Sequence, residues 1–495
     1  MIFSQIEYFW FFGLVFIVYW AVPRRARLWV LVPASLLFYG TWNFKYLFLL
    51  LGTTGVDYFS ALRIEAAAER PRARKLWLVG SLTVNLGVLA AFKYYGFFAR
   101  NLVALGDALG LQVHLATLDV LLPVGVSFYT FQSMSYTLDV YRGVEKPVRD
   151  PLRYLAFVSF FPQLVAGPIV RTAQLVPQLE ALPMFRLDRF KSGARLFLWG
   201  LGKKNLLADL IAVRCVDLVF TDPAGFDRPT LWLAALGYTL QIYGDFSGYT
   251  DMARGSARML GFELPVNFVA PFRARTITDF WRRWHISFNS WMRDYLYLPL
   301  ETRSRRRFIA RRKALRAAGR EAPASPSMGA GVFNIVLVFT LSGLWHGAAW
   351  TFVLWGTMHG AALALHRILT ERTAHVAWLV RVRAGVVYPA LGWAATFGFV
   401  CFSLILFRAT SFDLAADFMV GLFRSRADAR SLIDPAATAV MLAFAVLSAL
   451  DARFDLVSRY PRVPWPLRSV GYAVALLVLL LLTPTAQVPF VYFQF

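Results

Sequence analysis

Two histidines, His346 and His359, stand in LSGLWHGAAWTFVLWGTMHG (residues 341–360), whose remaining residues suit lipid or protein interior. An ionisable side chain in hydrocarbon is disfavoured by roughly 2.5–3.5 kcal/mol for Arg, Lys or Asp on insertion scales, so one found there marks function by default. Histidine is the least costly of them because its neutral form dominates near pH 7. A neutral imidazole beside a hydroxyl can take its proton while the oxygen attacks an ester or thioester, help that is typically worth about 10²–10⁴-fold. A third histidine, His285, lies in DFWRRWHISFNSWMRDYLY (residues 279–297). His285 and His359, taken as lone histidines, read first as structural. The chain carries no HExxH, phosphate-binding lysine loop, GxSxG elbow or paired CxxC, so zinc-peptidase, nucleotide-hydrolysing and soluble-hydrolase chemistry lack their signatures. Cys215 and Cys401 sit in apolar segments and read as small buried hydrophobes.

The elements that must position these groups follow from the surrounding pattern. Residues 334–366 form an apolar run of about 33 residues, which as one helix would be about 50 Å long against a hydrocarbon core of about 30 Å. It is expected to break around Ser342-Gly343 and Gly347, leaving His346 near mid-depth beside a helix end. His359, thirteen residues on, would lie on nearly the opposite side of a continuous helix. The glycine pairs Gly343/Gly347 and Gly356/Gly360 let neighbouring backbones approach closely. For His285, Thr276 as N-cap with Asp279 at the third helical position predicts a helix start. Apolar residues at Trp281, Trp284, Phe288, Trp291, Tyr295 and Leu298 then make one stripe, with Arg282, Arg283, Asn289, Arg293 and Asp294 opposite. That helix is expected to lie flat at a membrane interface, with His285 on the border of its two faces. Two stretches, LPVGVSFYTFQSMSYTLDVYRG (122–143) and FPQLVAGPIVR (161–171), carry interrupting Pro and Gly and read as re-entrant, cavity-lining backbone. Asp245, in residues 241–268, is expected to meet backbone or arginine partners, with substrate binding as the alternative.

Of the 495 residues 58% are hydrophobic, far too many for a soluble chain, so the fold class is an all-α polytopic membrane protein in a single integral-membrane domain spanning 1–495. Apolar runs long enough to span a bilayer suggest roughly eleven crossings. The net charge of +23 comes from short basic blocks between those runs, at 24–27, 63–75 and 303–320. This is a positive-inside pattern and excludes nucleic acid as the partner. Two such blocks so close together predict a hairpin of helices at 28–40 and 44–62, turning at 41–43, with the N-terminus outside. The first apolar run, 6–22, lacks a preceding basic region and is expected to stay as a helix. Lys93, in an aromatic cluster at 92–98, reads as an interface anchor. Residues 303–330 read as a basic cytoplasmic loop, where an acidic carrier or a phosphorylated donor could land.

In order along the chain, LPVGVSFYTFQSMSYTLDVYRG, FPQLVAGPIVR, QIYGDFSGYTDMA, DFWRRWHISFNSWMRDYLY, SGLWHGAAWTFVLWGTMHG and FRA at 407–409 resemble the membrane-bound O-acyltransferase (MBOAT) family, in the bacterial branch that serves alginate O-acetylation. The resemblance runs nearly end to end. It implies a ring of tilted helices with re-entrant segments around a central tunnel, with His346 of the WHG motif catalytic and His285 its companion, which reverses the structural reading of His285. Asp245, Trp345, Trp350 and Asn289 are then expected along the substrate tunnel. The family pattern often continues YIPLGG where this chain reads YLPLETRSRRR, a departure at the cytoplasmic docking surface.

The resemblance further implies no bound metal or cofactor, an acyl thioester donor (acetyl-CoA or an acyl carrier protein) arriving from the cytoplasm, and an exported polysaccharide as final acceptor. It also implies an extracytoplasmic SGNH-type acyltransferase partner, contact with membrane lipid and a place in the bacterial inner membrane. The tail 485–495 ends in FVYFQF. On composition it reads as an aromatic anchor, but it also resembles the terminal motif of small partner proteins in D-alanylation systems. That likeness implies Tyr492 as an acyl acceptor whose proton goes to His346, with Phe490, Phe493 and Phe495 holding it in place. Two alternatives remain: D-alanyl transfer toward teichoic acid, and a proton-coupled transporter or flippase. The inverted repeats common in transporters are not visible.

Overall fold

Asn43 ends the turn between the first two closely spaced helices by accepting the Lys45 amide at 3.0 Å, so Arg27–Gly40 and Phe44–Ala66 form the expected hairpin. The computed structural model describes all residues except 116–122, 166, 319–320, 322–327, 374, 377–384, 386, 425–427, 456–458, 485–487 and 492–495. Tyr492, Phe493 and Phe495 therefore lie outside the described residues. Among those described the architecture is helical, and the one extended pairing is the isolated bridge Phe226–Arg430.

Among the described residues six helices are long and apolar enough to cross a membrane: Phe44–Ala66, Pro71–Ala108, Gly329–His346, Val387–Arg408, Pro435–Phe454 and Trp465–Leu482. Ile6–Ala21 is a shorter apolar helix. The count falls below eleven because several apolar runs are spent on short or buried helices. The chain divides into two compact units, Met1–Arg195 with Ala253–Thr396 and Leu196–Met252 with Phe397–Gln494.

In the first unit, residues 122–143 do not break as expected: Val126–Arg142 is a regular helix, buried over most of its length, that starts after Gly125 at φ 72°. The hydroxyls do not interrupt it because they bond inside the protein, Ser135 to the Gln132 carbonyl at 2.7 Å and Thr137 to the Ser133 carbonyl at 3.2 Å. The fully buried Asp57 accepts hydrogen bonds from Ser81 at 2.6 Å and Asn85 at 2.8 Å, tying Phe44–Ala66 to Pro71–Leu89. Residues 161–171 do leave the helical path, with a four-residue helix Phe161–Leu164 and the buried residues Ile169 and Val170 outside any helix before Thr172–Ala181. The basic run is a helix, Leu298–Ala317, with none of its residues buried. Its Arg, Lys, Ala and Leu content favours a helix over the loop its charge suggested.

In the second unit, residues 196–202 of the helix Leu187–Gly202 continue into a π-helical stretch, Lys203–Leu210, beside residues 228–252 of the helix Arg228–Met259. Glycines set the distance. A Cβ on Gly200 would come within 2.5 Å of the Gly248 carbonyl oxygen, and one on Gly244 within 2.6 Å of the Leu207 Cβ.

Candidate active site

His346 is the last residue of the helix Met328–His346, and Gly347–Ala349 turns the chain into Trp350–Thr373. The long apolar run thus breaks where expected, and its two halves pack against each other. A Cβ on Gly343 would lie 2.2 Å from the Phe352 carbonyl oxygen, and one on Gly356 2.2 Å from the Phe339 carbonyl oxygen. Only glycine at both places permits this approach. Because the run folds back, His359 is not remote from His346. Trp355 lies between them, its ring 5.2 Å from His346 and 4.7 Å from His359. The Trp281 indole donates to His359 Nδ1 at 3.2 Å, which gives His359 the packing role expected of it.

The His285 segment differs from its prediction in two ways. Thr276 does cap the helix start, accepting the Asp279 amide at 3.1 Å. The helix then stops at Arg283, His285 takes the left-handed conformation at φ 45°, ψ 53°, and a new helix runs Ile286–Met292. A non-glycine residue there stores about 1–3 kcal/mol and persists only where its surroundings over-determine it. Asn267 supplies that support: its carbonyl accepts the Ile286 amide at 3.0 Å, and its side-chain oxygen accepts the Ser287 amide at 3.1 Å and the Ser287 hydroxyl at 2.9 Å. The same oxygen faces His285 Nδ1 at 3.3 Å. With Nδ1 as the protonated nitrogen, Nε2 carries the lone pair. Asn289 closes the break from the other side, donating to the carbonyls of Trp281 at 2.8 Å and Trp284 at 2.6 Å.

The second correction concerns burial. Most of the expected interfacial stripe is packed within the protein: Trp281, Trp284, Phe288, Trp291 and Tyr295 are buried, and Leu298 is exposed. Partners on other elements explain this. The Trp291 indole donates to the Phe131 carbonyl at 2.9 Å, and the Ser287 hydroxyl accepts the Ile169 amide at 3.0 Å from the irregular 161–171 stretch. His285 is 1% exposed, and burial pushes its imidazole down to about 3, so it is neutral at physiological pH.

The two candidate histidines meet the same aromatic rings. Phe288 lies 4.9 Å from His285 and 5.8 Å from His346, ring to ring, and stacks on Trp345 at 4.3 Å. Trp345 is thus beside both histidines. Trp350 is 55% exposed and donates to Asn101 at 2.8 Å. Asp245 belongs to the second unit, where it accepts the Val491 backbone amide at 2.6 Å and pairs with Lys204 at 2.7 Å, so the expected backbone partner is present and lysine stands where arginine was expected.

Two residues at this site escaped the sequence reading. Lys93, expected as an interface anchor, donates its ammonium to the His346 carbonyl at 3.1 Å and lies 5.7 Å from the Trp345 ring. It caps the carbonyl end of the helix that carries His346, where a cation is favoured. Its signal was available, since it is a lone cation in an apolar run, the criterion that singled out His346. Asn267 had no comparable signal. Among the described residues no group of three or more His, Cys, Asp or Glu is placed to hold a metal ion. Chemically, a neutral imidazole at a helix end among aromatic rings can accept a proton from a hydroxyl.

The sequence pattern of the MBOAT, membrane-bound O-acyltransferase family, matches residues 146–312 and 321–409. The chain is 38% identical over 427 residues to a probable alginate O-acetylase of Azotobacter vinelandii, covering 86% of this chain and 78% of that one. It is 34% identical over 427 residues to a peptidoglycan O-acetyltransferase of Helicobacter pylori, covering 81% and 74%. A teichoic acid D-alanyltransferase of Bacillus subtilis is more distant, 27% identical over 294 residues, covering 58% and 69%.

Proposed function

Because the chain belongs to the membrane-bound O-acyltransferase family and is an acyltransferase, we propose that it moves an acyl group, acetyl foremost, from a cytoplasmic thioester toward O-acylation of an exported polysaccharide such as alginate. The observation that carries this is His346 at its helix end, sharing Phe288 and Trp345 with His285. The names of the two nearer relatives support O-acetylation over D-alanyl transfer. Transport without acyl chemistry gains no support from either.

In the proposed cycle His346 is the general base. It takes the proton of an acceptor hydroxyl as that oxygen attacks the thioester carbonyl; the carbon–sulfur bond then breaks, and the thiolate leaves with the proton from the imidazolium. His285 lines the site as its companion, oriented by Asn267. The acceptor is Tyr492, which receives the acyl group as an ester. An extracytoplasmic partner, of the SGNH type in this reading, transfers it to a polysaccharide hydroxyl and restores the phenol. The donor is acetyl-CoA or an acyl carrier protein, drawn to the basic helix Leu298–Ala317 on the cytoplasmic side. The N-terminus lies outside, in a bacterial inner membrane.

The test is Tyr492→Phe, which keeps the ring and deletes the oxygen. Polymer acylation in cells at matched membrane levels is expected to vanish, and the wild-type peptide containing Tyr492 to carry the acyl ester. Wild-type acylation in that variant overturns the shuttle.

A further inference from the structure

In the second unit a buried ionic cluster binds main chain. Lys204 is 1% exposed and pairs with Asp209 and Asp245, each at 2.7 Å. The cluster does not close on itself. The second carboxylate oxygen of Asp245 accepts the Val491 amide at 2.6 Å, and the Lys204 ammonium also donates to the Val488 carbonyl at 3.1 Å. Between these two grips, Phe490 is fully buried, with its ring 4.7 Å from Tyr249 and 5.8 Å from Phe246. The gripping side chains come from the π-helical stretch Lys203–Leu210 and the helix Arg228–Met259, brought close at Gly200, Gly244 and Gly248. Charge-assisted bonds to buried main chain are short and strong, and they read backbone without regard to side-chain identity.

We infer that Lys204 and Asp245 are positioning residues that clamp residues 488–491 by their backbone, the stretch that leads directly into Tyr492 in the sequence. This rests on the reading of Tyr492 as the acyl carrier. It also gives Asp245 a role other than binding substrate: its two oxygens are committed, one to Lys204 and one to the tail. A carrier residue must reach its reacting position reproducibly, and a misplacement of about 1 Å can lower a rate about 10²-fold. A clamp on the preceding peptide units supplies that precision.

The test is hydrogen–deuterium exchange on the full chain in nanodiscs, read for the peptide containing 488–491 and for Arg228–Met259. Wild type is expected to protect 488–491 at least about tenfold beyond an unstructured amide. Asp245→Ala, which deletes the acceptor and leaves Lys204 paired with Asp209, removes that protection while Arg228–Met259 stays protected. Should Asp245→Ala loosen that helix as well, Val491→Pro decides, read at the Phe490 amide, because it removes the donor to Asp245 and leaves both ion pairs intact. Wild type without protection, or protection retained in Val491→Pro, overturns the clamp. Tyr492→Phe keeps the two ideas apart: it retains tail protection whether or not the tyrosine carries acyl groups. Normal polymer acylation in that variant, with protection lost in Val491→Pro, removes the shuttle and leaves the clamp standing.

Discussion

The two units hold their buried polar groups in opposite ways. In the first, His285 and His346 lie among Phe288, Trp345 and Trp355, and the nearest cation, Lys93, is spent on a backbone carbonyl. In the second, Lys204 is locked between two carboxylates, and Lys203 pairs with Asp251 at 2.5 Å. A group that must gain and lose a proton needs neighbours that do not fix its charge, and aromatic rings satisfy this. A group that must hold chain in place needs committed partners, and buried ion pairs satisfy that. On the proposed function, the difference separates a reacting site from a holding site within one chain.

The largest effect that would break the comparison is on stability. Lys204→Met leaves two buried carboxylates facing each other, and removing one partner of a buried pair typically costs about 3–5 kcal/mol. A thermal-shift measurement in detergent is expected to show a large loss for Lys204→Met. Little change would mean the ions are not committed as described. Next is Asn267→Ala, which removes the acceptor for Ser287 and frees the left-handed turn at His285. Acyl transfer is expected to fall about 10–10²-fold with smaller change in melting temperature, since geometry and not the fold is at stake. Equal loss of both would make Asn267 merely structural.

The smallest effect concerns the basic helix. Arg305→Glu with Arg306→Glu, both exposed, is expected to weaken donor use severalfold and to reduce its sensitivity to salt. A cysteine replacing Ala314 is expected to resist an impermeant reagent added outside intact cells, and labelling there would reverse the sidedness.

These contrasts also explain what the sequence could disclose. The break after His346 was legible because length against bilayer thickness forces it, and Gly343 and Gly356 were legible as contact points because nothing larger fits. The break at His285 was not, since a positive φ on a residue other than glycine has no compositional mark and is imposed by Asn267 from 18 residues away in sequence. Residues 126–142 were read as irregular because their hydroxyls looked like interruptions, whereas a helix can satisfy them internally. His285 entered the site through family resemblance, since its place beside the apolar stripe suggested only an interface. Asp245 stood out as an acid in an apolar setting, but its partners Lys204 and Val491 are 41 and 246 residues distant, beyond any local pattern.

The central claim is that His346 is the base for acyl transfer. The direct measurement is acylated polymer in cells carrying His346→Ala at membrane levels matched to wild type, with His285→Ala beside it. His346→Ala is expected to give an inserted, folded protein that transfers no acyl group, and His285→Ala one that is impaired. Near-normal acylation with His346→Ala contradicts it.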